Sequence, residues 1–360
     1  MIDYADIVCG LAWGDEGKGK VTSELAASGD YNYVCRWAGG SNAGHTVYVK
    51  DKKYKTHIIP SGVFHGIESV IGPGCVLHED SFYEELRYLD AHGFDTSLVK
   101  VSPKTHIVTN EHREEDRAKY AKKLGTTSSG IGPAYADKAR RTGVRAIDVL
   151  PTELLWNEKF ALSSISAGAR ILCEGAQGVW LDIDWGNYPF VTSSNTLPYA
   201  ACSLGFPPQK IKTIWGCAKA YDTRSGFDPE FPETLQDDES LSFLQERGQE
   251  FGVTTGRKRA VNWLNIDRLI RSINMSGTTH VIISKCDILA ESDVIKVKFS
   301  GDRFEPVTYM NMSDINDFEK QVEHWIRGYC ETVREIKKEQ QRIAEDRTGI
   351  GEHDRGRFTG

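Results

Sequence analysis

The sequence predicts an α/β protein in which a mostly parallel central sheet is flanked by helices, with a P-loop-like turn after its first strand. Three observations carry this expectation. Short, nearly unbroken apolar runs recur along the chain, each ending in a Gly-rich or polar loop; strands covered on both faces of a parallel sheet have this composition. Amphipathic helical stretches separate several of the runs, the alternation that builds βαβ units. The first run opens directly into a Gly- and Lys-rich turn and then a helical stretch, a geometry that aims backbone N–H groups at phosphate.

Taken in order, the strand candidates are Asp6–Ala12, Tyr33–Trp37, Ser69–Ile71, Ile107–Thr109, Arg170–Cys173, Lys212–Ala218 and His280–Lys285. Helical patterns lie between them, among them Ser81–Ala91 and Asn265–Ile273. Near the C-terminus Phe318, Val322, Trp325, Ile326, Tyr329, Val333 and Ile336 recur at three- and four-residue spacing. That spacing predicts one amphipathic helix covering the core. No repeat, low-complexity tract or Pro/Ser linker interrupts the chain, so residues 1–360 are expected to form a single domain.

Composition narrows the function. The 360 residues carry 44 Lys+Arg against 51 Asp+Glu, a net charge of −7, which argues against a protein that coats nucleic acid or an anionic membrane. No stretch of about 18 apolar residues offers a membrane span. The N-terminus lacks the basic and apolar regions of a signal peptide. The eight cysteines are scattered with no CxxC pair, so buried thiols in a cytoplasmic protein are expected, rather than disulfides or a zinc site.

The turn after the first strand reads Leu11-Ala12-Trp13-Gly14-Asp15-Glu16-Gly17-Lys18-Gly19-Lys20-Val21. It departs from a Walker A loop, which needs Gly where Ala12 stands and Ser or Thr where Gly19 stands. Without that hydroxyl, Asp15 is the natural Mg²⁺ ligand, and a carboxylate set beside phosphate charge suggests a reacting group. A second Gly-rich element, Trp37-Ala38-Gly39-Gly40-Ser41-Asn42-Ala43-Gly44-His45-Thr46, follows another strand. It offers close backbone approach, an amide at Asn42 and a switchable acid at His45.

These two elements resemble the WGDEGKGK and GGxNAGHT motifs of the adenylosuccinate synthetase family. The later blocks agree and come in family order: Gly125–Tyr135 with Asp137, Lys138 and Arg141; Glu174–Gly178; Leu181–Asp184; Tyr188–Thr196; Lys219-Ala220-Tyr221 with Thr223-Arg224; Thr254–Arg259; and Lys285-Cys286-Asp287. The resemblance implies the family's fold and its reaction, which joins L-aspartate to C6 of a 6-oxopurine nucleotide. A purine nucleoside triphosphate and Mg²⁺ activate the oxygen. By the same resemblance Asp15 matches the base that takes the N1 proton and contacts Mg²⁺, with the Gly44 backbone as a second metal ligand. His45 matches the group acting on the phosphoryl bridge. Gln177 matches the side chain that polarises O6. Lys18, with Glu16, Gly17, Gly19, Gly44, His45 and Thr46, matches the triphosphate contacts. Asn42, Thr127, Thr192, Ser225 and Arg257 match contacts to the acceptor nucleotide, and Arg141 one supplied across a homodimer interface. Thr254, Thr255, Arg257 and Arg259 match the aspartate loop. Lys285 and Asp287 match the clasp on the triphosphate's base, to which Gly351 is the nearest counterpart of a further segment.

The sequence departs from the family pattern at four places. Ala12 replaces a Gln beside the base-contacting loop; Ser225–Glu233 replaces a Val-Gly-x-Gly-Pro-Phe-Pro-Thr-Glu run near the ribose; Ser129 replaces an Arg; and Gly349-Ile350-Gly351-Glu352 lacks the Ser and Pro of a guanine-clasping segment. The changes cluster at base and sugar contacts, while the phosphoryl-transfer residues persist. They point to the phage-type branch that condenses aspartate with dGMP, with ATP as donor and the host cytoplasm as its setting. IMP with GTP is the alternative, kept open by Asp15 and Asp287.

Overall fold

The structure, a computed structural model, describes residues 2–50, 52–157, 168–229, 231, 238–252, 256–300 and 307–339. Eight strands form one sheet in the order Glu335–Glu339, His280–Ser284, Ile211–Lys219, Tyr4–Gly10, Arg170–Glu174, Tyr33–Arg36, Glu68–Ile71, Val99–Val101, and every pairing between them is parallel. The first strand of the chain lies inside this sheet. Its Ala5, Ile7, Val8 and Cys9 are fully buried. Ala5 and Ile7 pack with Cys35, Trp37, Ile171 and Cys173, whereas Val8 packs with Val21, Val34, Leu172 and Cys217. A strand feeding two core layers must be apolar at nearly every position, which is why these runs do not alternate.

A second sheet of four strands, Tyr221–Arg224, Ala260–Asn265, Ile295–Phe299 and Thr308–Met312, stands beside the first. Its Trp263, Leu264 and Val297 share a core with Leu269 and Ile273 of helix Ile266–Ser276 and with Phe318, Val322 and Ile326 of helix Ile315–Tyr329. None of this sheet was expected.

Several boundaries shift for identifiable reasons. The helix expected over Ser81–Ala91 spans Glu79–Ala91, because the His78 ring accepts the Ser81 N–H and caps it one turn earlier. Asn265 is itself the N-cap of Ile266–Ser276, its side chain accepting the Arg268 N–H at 3.0 Å. The strand expected near Ile107 is His106–Val108, and it pairs with Val76–His78 in a separate two-stranded sheet. The C-terminal helix ends at Tyr329 and does not continue through Val333 and Ile336. Ile336 lies instead on the strand Glu335–Glu339, which takes its hydrogen bonds from His280–Ser284. All eight cysteines are free thiols and all but Cys202 are buried. No helix among the described residues is long and apolar enough to cross a membrane.

Gly74 sits where the turn after Glu68–Ile71 crosses the strand end at Trp37. A Cβ added there would lie 1.9 Å from the Trp37 carbonyl oxygen. Backbone cannot yield as a side chain does, so Gly74→Ala is expected to destabilise the fold by about 1–3 kcal/mol or more. The check is a lower midpoint in chemical denaturation with an unchanged slope.

Candidate active site

Five parallel strands deliver their following loops to one edge of the sheet. They end at Gly10, Arg36, Glu174, Lys219 and Ser284. The loops wall a cleft of about 1730 Å³. Asp15, Gly17, Lys18, Gly19, Asn42, Gly44, His45, Thr46, Thr127, Gln177, Thr192, Ser225, Arg259, Lys285 and Asp287 all line it. Fifteen of the positions singled out from sequence therefore meet at one place.

The first loop is built around a buried carboxylate. Gly10 ends the strand where a Cβ would fall 2.5 Å from Glu16 Oε2. Glu16 turns inward: Oε1 accepts the N–H groups of Ala12 at 3.1 Å and Gly14 at 2.8 Å, and Oε2 meets Lys18 Nζ at 2.5 Å. Glu16 thus stands behind the cleft wall and holds Lys18 in place. Asp15 adopts φ 64 and Gly17 φ 94, and Gly17 caps helix Lys18–Ala26. That backbone presents Asp15 on the cleft.

His45 opens the strand His45–Val49 and is buried against Gly19, where a Cβ would lie 2.7 Å from His45 Cβ. Its Nδ1 hydrogen-bonds the buried Glu174, which also accepts the Ser61 N–H at 2.7 Å. Burial lowers the His45 pKa more than Glu174 raises it. Burial alone would raise the Glu174 carboxyl, but His45, Arg36 and the Ser61 amide outweigh it and hold it below the usual range. The carboxylate on Nδ1 fixes that nitrogen as the protonated one in the neutral ring.

Gln177 adopts φ 54, and its Oε1 is buried without a hydrogen-bond partner. Asp287 Oδ1 is in the same condition. Buried acceptors left open beside a cleft are sites for ligand donors. Lys285, at φ 67, caps the short helix Cys286–Ala290 and donates to the Gly248 carbonyl at 2.6 Å. Asn42 Oδ1 accepts the Gly40 N–H at 3.0 Å. On the opposite wall the buried Asp116 accepts from Thr126 Oγ1 at 2.6 Å and from the Gly130 N–H at 2.9 Å. It thereby closes the loop that carries Thr127.

Charge concentrates around Glu250, a fully buried residue that sequence reading passed over. Its Oε2 lies 2.9 Å from Lys219 Nζ and 2.5 Å from Arg259 Nη1, and its Oε1 3.0 Å from the Tyr221 hydroxyl and 3.6 Å from Lys285 Nζ. Burial alone would raise this carboxyl; Lys219, Lys285 and Arg259 outweigh it and hold it near about 2. Burial pushes the Lys285 amine down to about 8. Arg259 continues the chain of charges, with Nε 2.9 Å from Asp15 Oδ2, which Ser225 Oγ also approaches at 3.5 Å. Beside Ser225 the buried Arg224 bonds Asp228 Oδ2 at 3.0 Å and the Phe190 carbonyl at 2.8 Å.

Some expected positions lie elsewhere. Arg141 caps helix Ile131–Arg140 at φ 70, exposed and off the cleft wall. Arg257 is exposed and donates to the Gly125 carbonyl at 2.9 Å, also off the wall. Ala12 packs on the cluster of Trp13, Trp180 and Phe231 rather than facing the cleft. Phe227 is 53% exposed and packs edge-on against Phe190, a wall residue, at 5.2 Å. Thr254, Thr255 and Gly351 lie outside the described residues.

Among the described residues no three His, Cys, Asp or Glu side chains gather to hold a metal. One carboxylate at Asp15 and the Gly44 carbonyl are hard oxygen donors. That set fits a Mg²⁺ that takes its other ligands from phosphate and water.

A phosphate-binding turn, a deep polar cleft at the carboxyl edge of a parallel sheet and two open buried acceptors define a nucleotide-binding α/β enzyme. The family model for adenylosuccinate synthetase matches residues 7–163 and 157–346. An adenylosuccinate synthetase of Nitratidesulfovibrio vulgaris is 40% identical over 338 residues, covering 79% of this chain and 78% of the relative. One from Clostridium botulinum is 38% identical over 346 residues, covering 81% and 80%. The fully ligated adenylosuccinate synthetase of Plasmodium falciparum superposes with a TM-score of 0.81 at 27% identity, covering 90% of this chain and 95% of that one. The succinoaminodeoxyadenylate synthetase of cyanophage S-2L, bound to dGMP and dATP, shares the fold with a TM-score of 0.70 at 20% identity over 94% and 92%. The chain belongs to the adenylosuccinate synthetase family, carbon–nitrogen ligases that use a nucleoside triphosphate and Mg²⁺.

The contact between Gly19 and His45 gives a test of the site. In Gly19→Ala the new methyl drives His45 away from its place. Displacements near 1 Å cost about 10²-fold in rate. Turnover of the folded protein is expected to fall by about that factor, and the thermal midpoint to fall as well, because the clash is with the Cβ and Cγ of a buried side chain.

Proposed function

We propose that this chain condenses L-aspartate with C6 of IMP, with GTP as phosphoryl donor. The observation that carries the reading is Asp15, held in a left-handed backbone on the cleft and ion-paired to Arg259. The chemistry asks for such a group. A lactam carbonyl is a poor electrophile and its oxygen a poor leaving group, so the N1 proton must leave and O6 must be phosphorylated before an amine can displace it. Asp15 takes the N1 proton. Lys18 and the amides of the first loop neutralise the migrating phosphoryl group. His45, oriented through Nδ1 by Glu174, donates from Nε2 to the phosphoryl oxygens as the imidazolium, which the neighbouring phosphate charge favours, and Gln177 fixes the O6 end of the base. Asp15 and the Gly44 carbonyl would hold a Mg²⁺, which when bound would supply charge neutralisation of the phosphates. Asn42, Thr127, Thr192 and Ser225 hold the acceptor. Arg259, with the loop that carries Thr254, Thr255 and Arg257, receives the dicarboxylate of aspartate, which guanidinium groups suit.

The acceptor and donor rest on narrower grounds. The relatives 38–40% identical to this chain are named adenylosuccinate synthetases. Ala12, the departure beside the base-contacting loop, does not line the cleft. Both facts favour IMP over dGMP. The open Asp287 Oδ1 favours GTP over ATP, because a carboxylate accepts from both N1–H and the 2-amino group of guanine, whereas adenine presents a donor beside an acceptor. A second reading, dGMP as acceptor, is favoured by Phe227 packing against the wall residue Phe190 beside Ser225, where bulk would crowd a ribose 2′-hydroxyl. Free thiols throughout suit the cytoplasm.

The test is to incubate the enzyme with aspartate, Mg²⁺ and each of IMP, GMP and dGMP, with ATP or GTP, and to identify products by mass. IMP with GTP is expected to give the highest kcat/KM; a higher value with dGMP selects the second reading. In the same assay Asp15→Asn is expected to lose at least about 10²-fold, the scale of general-base catalysis, with nucleotide binding retained. A near-normal rate removes Asp15 from that role.

We also propose a homodimer in which Arg141 serves the partner's acceptor phosphate. Its exposure away from its own cleft supports this. Mixing inactive Arg141→Leu with inactive Asp15→Asn is expected to restore activity, because hybrid dimers hold one intact site. No recovery after demonstrated subunit exchange would confine Arg141 to its own chain.

A further inference from the structure

Glu250 stands four residues before Thr254 in the chain. Its backbone carbonyl accepts the Arg259 N–H at 3.0 Å, and the Gly252 N–H donates to the Arg257 carbonyl at 2.8 Å, so residues 250–252 and 256–259 form an antiparallel stem. Its fully buried side chain faces the other way, into a nest of three cations, two of which border the cleft. One oxygen holds Arg259, which reaches Asp15; the other faces Lys285, two residues before Asp287. Lys219 and the Tyr221 hydroxyl complete the nest.

We propose that Glu250 is a positioning residue that couples the two ends of the cleft: one carboxylate sets Arg259 at the acceptor and aspartate end, and Lys285 at the end that takes the base of the triphosphate. The argument is electrostatic. Three cations converge on one fully buried anion, and solvent reaches only the cleft side of Arg259 and Lys285 to screen them. Removing the negative charge leaves three cations that repel one another, with only Asp15, the Gly248 carbonyl and Thr223 Oγ1 to hold them, and poorly compensated buried charge is costly. Lys219 is enclosed, so Arg259 and Lys285, which both border the cleft, are the ones to move. An effect at one end therefore appears at the other. The identity of the two ends rests on the function proposed above; the charge linkage itself does not.

The experiment compares wild type, Glu250→Gln and Glu250→Asp. Calorimetry reads the affinity for a non-hydrolysable GTP analogue with and without IMP, and steady-state kinetics read the KM values for aspartate and GTP. Glu250→Gln is expected to raise both KM values about 10-fold or more and to abolish any change that IMP makes in analogue affinity. Glu250→Asp, which keeps the charge, is expected to recover part of each. A merely structural role would lower the active fraction and hence kcat, with both KM values within about 2-fold of wild type; that result overturns the proposal. So does a rise in one KM alone. Should Glu250→Gln fail to fold, Tyr221→Phe removes only the hydroxyl on Oε1 and is expected to shift both KM values in the same direction; unchanged values count against the proposal. If wild type turns over none of the acceptors, the functional reading fails, while analogue binding by wild type and Glu250→Gln still tests whether the charge of Glu250 reaches the Lys285 end.

Discussion

A parallel sheet has its strands' carboxyl ends on one side, and that single constraint decides where this protein can bind anything. Crossovers must return to the far edge before the next strand begins, so the loops that leave the carboxyl edge collect there. Here five such loops converge, from Gly10, Arg36, Glu174, Lys219 and Ser284. The first strand lies between Ile211–Lys219 and Arg170–Glu174. Its phosphate turn is therefore flanked directly by the loop bearing Gln177 on one side and by Lys219 on the other. Residues 15, 177 and 219 become neighbours because of strand order, although nothing in their sequence separation brings them together.

The convergence is tight enough that side-chain volume becomes a constraint in its own right. Gly10 lets Glu16 fold back under the turn, Gly19 lets His45 lie on the first helix, and a Cβ at Gly178 would strike the Ala12 carbonyl at 2.3 Å. The loops also need their polar groups satisfied without help from solvent. Glu16, Glu174, Asp116 and Glu250 do this, each a buried carboxylate that accepts from the backbone or meets a cation. A buried carboxylate is costly unless paired. The recurrence of this device around one cleft says that rigidity of the cleft is worth that cost.

The same physics explains what the sequence made legible. Phosphate-facing turns depend on Gly and on a strand–helix junction, both local properties, so the loops at Asp15 and at His45 could be read directly. Continuous apolar strands declared the parallel sheet for the same reason. The second sheet was not legible, because Ala260–Asn265 and Thr308–Met312 become strands only by pairing with distant partners. The C-terminal segment misled because Val333 and Ile336 continue a helical spacing, while an open edge at His280–Ser284 offered the backbone of 335–339 a ladder instead. Buried supports were missed on similar grounds. Glu174 meets His45 across 129 residues, and Glu250 meets Lys219 across 31. An acidic residue carries no mark of such a partner in its own neighbourhood. Ala12 shows the converse: a departure from a motif looks like a change at the ligand, yet the side chain packs on a core cluster.

The charges themselves have an order. Glu16 holds Lys18, Glu174 holds His45, and Glu250 holds Arg259, so these three cleft-facing groups each have a buried anion at their back. Asp15 and Asp287 are the carboxylates at the front, one against Arg259 and one with an oxygen left open. Anions behind and cations before put positive charge on the inner surface of the cleft at the first loop, while the two forward carboxylates offer acceptors to a ligand's donors. A passive phosphate cradle would need only the first layer. The forward layer adds a carboxylate beside the turn at Gly17, which the proposed removal of the N1 proton requires.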